Sequence, residues 1–576
     1  MTTLRVWAPL PDTVEVDTEG RRTAMSRRED GWWTADIGGH GTDYALVLDG
    51  GEPRPDPRSG WQPQGVHGPS RVVDHSTFTW TDDRWRGVPL QGSVLYELHV
   101  GTFTAEGAFD AAAARLDHLC ELGVDAVELL PCNAFAGRWG WGYDGVAWYA
   151  VHEPYGGPDG LKRLVDACHA RGLGVVMDVV YNHLGPAGNY LPEFGPYLTD
   201  AHSTPWGPAV NLDRPGSDVV RRYVIENALM WLRDYHVDGL RIDAVHALVD
   251  ERATHLLEEL SVEVDALGAQ LRKPLFLIAE SDLNDPRMVQ PRQAGGYGLD
   301  AQWADDVHHA LHANLTGETA GYYADFHGLA VLAKVLSSVF LHDGSWSSFR
   351  GRTHGRPVPP DVSGHRFVVY LQDHDQVGNR ATGDRLAATL SDGLLQIGAA
   401  LVLTSPYTPM LWMGEEWGAR TPWQFFSDHE GELGEAVRQG RRAEFASHGW
   451  DSEDVPDPQA EQTVRDSTLD WSELDQERHT SLLAWTRDLI ALRRRRPELS
   501  DGRRDQVGVT HGAGGEWLVM RRGTVAVVCN LSPVRATVPL EGTPQAALLA
   551  SRRGFVYADG LAELEGESVL VLELAG

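Results

Sequence analysis

Between Ser93 and Glu416 the chain alternates two textures. Short runs that are apolar almost throughout (SVLYELHV, VDAVELLP, GLGVVMDVV, VDGLRID, KPLFLIAE, GLDAQWADD, RFVVYLQDHD and TPMLWMGEE) are separated by longer stretches. In FDAAAARLDHLCELG and PDGLKRLVDACHARG, for example, the apolar residues recur at helical spacing. Runs of the first kind fit strands buried on both faces of a parallel sheet, and those of the second fit amphipathic helices. Eight such units predict an α/β fold, a single (β/α)8 TIM barrel with loop insertions. A doubly wound sheet is the competing α/β arrangement, but no Gly-rich phosphate turn follows the first strand.

The flanks read differently. Residues 1–88 open with short alternating runs, TLRVWAP, TVEVDT, GWWTADI and DYALVLDG, and then pass through the Pro/Gly-rich connector GEPRPDPRSGWQPQGVHGPS. This predicts an N-terminal β-sandwich. The barrel with its insertions is assigned 89–504. Strand-like runs return in EWLVMRRG, VAVVCNLS and SVLVLEL, so 505–576 is expected to be a C-terminal all-β domain. The RRRR run at Arg493–Arg496 ends a helical stretch and is read as complementing its dipole.

Composition narrows the partners. The formal net charge is -32 over 576 residues, which opposes binding to nucleic acid or anionic lipid and is indifferent to a neutral sugar. No run approaches the roughly 18 apolar residues of a membrane span, and MTTLRVWAPLPDTVEV reads as a strand rather than a signal peptide. The four cysteines, Cys120, Cys132, Cys168 and Cys529, show no metal-ligand spacing and read as buried free thiols. A cytoplasmic protein without cofactor or metal is expected; oligomeric state is open.

The candidate chemistry lies at strand ends. In VDGLRIDAVHAL, Arg241 and Asp243 are two residues apart and so share one strand face, with Ile242 on the other. Alone, the pair reads equally well as an ion pair at a solvated strand end. The third strand, however, ends in Asp178 and runs into Asn182 and His183; the fifth ends in Glu280, and the seventh in His374 and Asp375. Four polar clusters at C-terminal strand ends converge on the face where barrel active sites form. Three carboxylates, Asp243, Glu280 and Asp375, would then meet, and glycosidic hydrolysis needs two. Arg241 would keep Asp243 ionised as nucleophile, and Glu280, on an apolar strand among carboxylates, would retain its proton as acid.

In order and spacing, DVVYNH, GLRIDAVH, AES and LQDHD resemble the four signature regions of the α-amylase superfamily of retaining glycosidases. The resemblance covers roughly 90–500. It implies Asp243 as nucleophile, Glu280 as general acid/base and Asp375 as the carboxylate that stabilises the distorted sugar. It implies that Arg241, His183 and His374 support these groups and bind sugar, and that Tyr143 and Asp144 of RWGWGYDG contact the same ring. His246 and Ala247 stand where ordinary amylases often carry Lys-His. The segment from His183 to about Asp218 is too short for a calcium-bearing subdomain, so no metal is expected, although Asn182 matches a calcium ligand in such enzymes.

LRVWAP, LHVGTFT, HDQVGNR, WADDVHH and Thr421–Phe445 resemble the trehalohydrolase branch of the superfamily; branching and debranching enzymes share the first of these. This implies a maltooligosyltrehalose substrate, made by a maltooligosyltrehalose synthase in the same pathway, and release of trehalose. The leaving-group pocket is expected from His309, Gln376, Asn379 and Trp423, with His246, Asp305, Asp306, His308 and Arg380 as further substrate-binding candidates. For the loop aromatics Trp139, Trp141, Trp206, Trp303, Trp423, Phe425 and Phe426, core packing and sugar stacking remain equal alternatives. A catalytically inactive sugar-binding barrel is the rival from another class, but such proteins lose catalytic carboxylates and this chain keeps all three.

Overall fold

The computed structural model describes residues 1–446 and 455–575. Its centre is a closed parallel barrel of eight strands in sequence order. These are β1 (Leu95–Leu98), β2 (Ala126–Leu129), β3 (Gly174–Val179), β4 (Gly239–Ile242), β5 (Phe276–Ala279), β6 (Ala301–Trp303), β7 (Phe367–Tyr370) and β8 (Thr408–Trp412). Each of the eight apolar runs contributes one strand.

Alternation along these strands divides the barrel into layers. Leu95, Ala126, Val176, Phe276, Ile278, Ala301, Val368 and Met410 pack against one another inside it. Tyr96, Val127, Val175, Leu240 and Leu277 point outward into the large core shared with the helices. Gly239 faces inward without a side chain because a Cβ there would lie 2.3 Å from the ring of Phe276. One pleat further along the strands, the inward positions become Glu97, Glu128, Asp178 and Arg241. Glu97 pairs in register with Glu128, and Asp178 with Arg241. The barrel interior is therefore apolar below and charged above.

Two sheets precede the barrel. Thr2–Trp7, Trp32–Ile37 and Ser26–Arg27 form one, and Val14–Thr18, Arg21–Ala24, Asp43–Leu48 and Pro53–Arg54 form the other. Val6, Trp33, Val14, Val16 and Leu46 are buried between and beneath them. After the barrel, the strands from Val507–His511 to Ser568–Leu574 form a five-stranded and a three-stranded sheet around their own apolar cluster. No helix among the described residues is long and apolar enough to cross a membrane.

Arg493 departs from the expected role of the arginine run. It is 1% exposed, and its guanidinium donates to the carbonyls of Leu403, Ser405 and Leu499 at 3.0, 2.9 and 3.0 Å and of Tyr407 at 2.8 Å. It caps the end of a different helix, Asp392–Leu403, and the turn beyond it. From the C-terminal domain Arg522 reaches the same turn, donating to the Thr404 carbonyl at 2.7 Å. Both are buried cations whose counter-charge is the carbonyl end of a helix. Replacing Arg493 by Met strands these carbonyls in the interface. A loss of about 2–4 kcal/mol in urea unfolding is expected, with turnover per folded molecule unchanged.

Candidate active site

Asp243 extends β4 by one pleat, so its side chain follows Arg241 into the barrel mouth; its backbone N–H donates to the Val179 carbonyl at 3.0 Å. Asp243 Oδ1 accepts from Arg241 Nη1 at 2.8 Å, and Oδ2 from Asn182 Nδ2 at 3.1 Å. The same Arg241 Nη1 donates to Asp178 Oδ2 at 2.8 Å. Arg241 is wholly buried and lies over the Trp303 ring, 4.4 Å from its centroid. Burial pushes the Asp243 carboxyl up to about 6 against the pull of Arg241, with Asp178 and Asp375 adding to the push.

Glu280 follows β5, its N–H bonded to the Ile242 carbonyl at 3.0 Å. Its Oε2 lies 3.2 Å from Arg241 Nη2, the other prong of the guanidinium. One guanidinium thus spans both carboxylates. Oε2 also accepts from the Ala244 backbone N–H at 2.6 Å. That N–H is aimed by an unusual residue, since Ala244 has φ +39° in the left-handed region that non-glycine residues avoid. Burial raises the pKa of Glu280, the nearby charges of Asp243 and Asp375 adding to it against Arg241.

Asp375 lies in the turn after β7 and is the most open of the three, with 41% of its side chain exposed. It accepts from Asn379 Nδ2 at 3.1 Å and lies 3.6 Å from His374 Nε2. Tyr143, from the loop after β2, stacks on His374, and its hydroxyl bridges His374 Nε2 at 2.8 Å and Asp178 Oδ2 at 2.7 Å. His183 Nδ1 bonds Asn182 Oδ1 at 2.8 Å, and its ring stacks on the half-exposed Trp206.

The remaining expected site residues divide. Asp144 reaches across the mouth to His429 Nε2 at 3.2 Å. His246 is exposed beside the Asp282 N–H. Asp305 accepts from the Tyr370 hydroxyl, and burial first, then neighbours that include Glu280, push its carboxyl up to about 7. His309 is wedged among Tyr322, Tyr323 and Phe326. Gln376 accepts from the Tyr322 hydroxyl at 3.4 Å, while Arg380 is paired to Asp384 and Glu318; both line a cavity of about 300 Å³.

Three expectations need correction. Trp423 is 0% exposed, stacked on Trp141 and donating to Thr102 Oγ1 at 3.0 Å, so it supports the floor and presents no open face to the mouth. His308 lines the same cavity as Gln376 and Arg380 but is 1% exposed, with both ring nitrogens already engaged by the Leu371 carbonyl and the Tyr323 hydroxyl. Asp306 turns away from the mouth to accept from Asn284 and from the N–H groups of Leu341 and His342. Conversely, the sequence reading passed over Glu97, Tyr322, Phe349 and Arg350. Phe349 is 57% exposed beside Tyr322, and Arg350 pairs with Asp282.

Asn182, the position matching a calcium ligand, is committed to Asp243 and His183. Among the described residues the one cluster with ligand spacing is His202, Asp213 and Glu251. There Arg214 already supplies the positive charge, 3.1 Å from His202 Nε2 and 2.9 Å from Glu251.

Comparison with known proteins agrees with this geometry. The family described as alpha amylase, catalytic domain, matches residues 76–196, and a domain family of unknown function matches 503–571. The crystal structure of a candidate alpha amylase from Salmonella typhimurium superposes with a TM-score of 0.91 at 39% identity, over 99% of this chain and 97% of that one. Barrel, flanking sheets and converging carboxylates thus define a glycoside hydrolase of the α-amylase superfamily. Within it, the malto-oligosyltrehalose trehalohydrolase of Arthrobacter ramosus is 57% identical over 99% of both chains. That of Mycobacterium tuberculosis is 50% identical over the whole of both. The chain belongs to the malto-oligosyltrehalose trehalohydrolase family.

A nucleophilic Asp243 must be ionised, so kcat/KM is expected to fall as pH drops through about 6. Asn182→Ala removes a donor that favours the ionised form and should move this acid limb upward by roughly one pH unit. A pH–rate profile of the variant checks the shift; an unmoved limb would detach that limb from Asp243.

Proposed function

We propose that the chain hydrolyses the α-1,4 bond between a maltooligosyl chain and its terminal trehalose, with retention, releasing trehalose. The observation that carries the chemistry is the shared guanidinium, with Asp243 Oδ1 on one prong at 2.8 Å and Glu280 Oε2 near the other at 3.2 Å. Asp243 attacks the anomeric carbon while Glu280 protonates the departing glycosidic oxygen, giving a covalent glycosyl-enzyme. Glu280, now ionised, takes a proton from water as it displaces Asp243. Asp375, more exposed, bonds sugar hydroxyls and stabilises the distorted ring.

Family membership supports the choice of substrate, and the mouth supplies surfaces for it. Trehalose has no reducing end, and its α,α-1,1 linkage sets its two rings at an angle that maltose does not adopt. Trp206 after β3, and Tyr322 and Phe349 after β6, offer flat faces on opposite sides of the opening. They replace Trp423 as candidates for stacking. Matching that bend in the transition state would favour the trehalosyl substrate over a linear glucan. The substrate would come from a maltooligosyltrehalose synthase, which converts the reducing end of a glucan into trehalose. Four unpaired thiols fit a cytoplasmic setting for both steps.

The test compares kcat/KM for maltotriosyltrehalose with that for maltopentaose, which has equally many glucose units. A strong preference for the first, with free trehalose as product, is expected. Equal values would sink the assignment, and new α-1,6 branches in amylose would favour a branching enzyme. Asp243→Asn should remove nearly all turnover. Its folded pKa is raised, so the stabilising effect of the protonated form is lost as pH rises through about 6. At pH 7 the ionised group opposes folding by on the order of 2 kcal/mol, and Tm of the amide variant should be unchanged or higher.

A further inference from the structure

Two glutamates on neighbouring strands, Glu97 of β1 and Glu128 of β2, are each 1% exposed and face each other in register inside the barrel. Neither reaches the substrate cavity. Glu97 grips His374 with both oxygens: Oε2 accepts from the His374 backbone N–H at 3.1 Å and Oε1 from Nδ1 at 2.5 Å. The other ring nitrogen, Nε2, lies 2.8 Å from the Tyr143 hydroxyl. Tyr143 has one proton to give, and Asp178 Oδ2, which also accepts from Arg241, takes it at 2.7 Å. Nε2 must therefore donate to Tyr143 while Nδ1 donates to Glu97. Donor accounting alone makes His374 doubly protonated.

We infer that Glu97 is a positioning residue that fixes His374 as a charged, two-donor imidazolium at the sugar subsite, and that its neighbour Glu128 is neutral and leaves this pairing intact. Two carboxylates packed side by side away from water share one proton rather than ionise together. Both protons facing Glu97 belong to His374, so the shared proton falls to Glu128. Burial, then the charge of Glu97, raises the pKa of Glu128 well above the carboxylate range.

The other groups around His374 divide: the carboxylates favour its charged form, and the Arg241 cation opposes it. Asp375 and Asp373 flank it in its own turn, Asp178 and Arg241 lie across Tyr143, and His99 stands in the loop after β1. Burial followed by Glu97 raises Asp373 well above its ordinary range, and burial pulls His99 down to about 3. His99 is therefore neutral, and charge on Asp373 favours the imidazolium. Burial alone would lower His374, but Glu97 and then Asp375 push it up to about 10. The imidazolium can donate to a sugar hydroxyl, and its charge offsets the carboxylates that the oxocarbenium-like transition state requires.

The kinetic arm rests on the hydrolytic reading above; the spectroscopic arm does not. In enzyme labelled with 15N-histidine, with the His374 signal assigned by its loss in His374→Gln, His374 should remain an imidazolium up to about pH 9. In Glu97→Gln it should titrate near its ordinary ~6.5. kcat should then fall about 100-fold with KM within a few-fold, and a new alkaline limb should appear near neutrality. Glu97→Asp should retain the charge and recover part of kcat. Glu128→Gln, an amide for an acid already neutral, should leave the His374 titration and the pH profile as in the wild type. A wild-type His374 that titrates near 6.5 would overturn the inference, even if Glu97→Gln fails to fold. So would a Glu97→Gln variant with unchanged titration, or a Glu128→Gln variant that shifts it equally. Wild-type enzyme inert toward maltotriosyltrehalose would defeat the functional reading and leave the titration to decide this one.

Discussion

Arg241 is a full positive charge with no exposed surface, and inside a barrel such a charge is stable only if carboxylates and their hydrogen bonds replace water. Asp178, Asp243 and Glu280 do so from three consecutive strands, and the Trp303 ring covers the guanidinium face. The dependence is mutual. Without the guanidinium, the carboxylates would raise one another's pKa until none was an effective nucleophile at neutral pH. A second cation, His374, plays the same part on the far side, joined to the first by Tyr143 and Asp178. The polar layer of the barrel thus closes as one network of charges whose signs are set by proximity.

That network explains why the carboxylates differ. Asp243 contacts Arg241 and Asn182, which oppose the burial that pushes its carboxyl up to about 6. Glu280 has the longer approach to Arg241 and one backbone donor, delivered by the strained Ala244. Strain in the turn after Asp243 is tolerated because both flanking strands belong to the closed barrel. Asp375 has open space around it, as suits a group that must meet hydroxyls.

The barrel is legible because each strand is a near-continuous apolar run, and the charged layer at its mouth because polar clusters recur at the ends of four such runs. Glu97 in SVLYELHV carries that signal as plainly as Arg241 does. What the run does not show is that Glu97 contacts His374 from another strand, a neighbourhood no local pattern encodes. WADDVHH divides for another reason. Its residues begin the helix Asp305–Thr316, so Asp305 shares a face with His309 while Asp306 turns about 100° away to bind Asn284. For Trp423 the sequence leaves core packing and sugar stacking open, and the structure favours packing because the loop folds back over the barrel rim and buries it against Trp141 and Trp412. Loop residues can be assigned to a face only when the loop's path is known.

The division between shared and particular chemistry follows the same line. Residues on strand ends are held to the barrel by ladder hydrogen bonds, so their mutual distances are fixed by the fold and suit any α-glucoside. Trp206, Tyr322, Phe349 and Arg350 stand on hairpins and short helices that the barrel merely anchors, with Trp206 and Phe349 widely exposed. Changes there alter the shape of the mouth without disturbing the charge network beneath. Selectivity for a bent, non-reducing disaccharide can therefore arise on the same carboxylates that serve linear chains. The constraint runs one way: the mouth depends on the network for its chemistry, while the network is complete without the mouth.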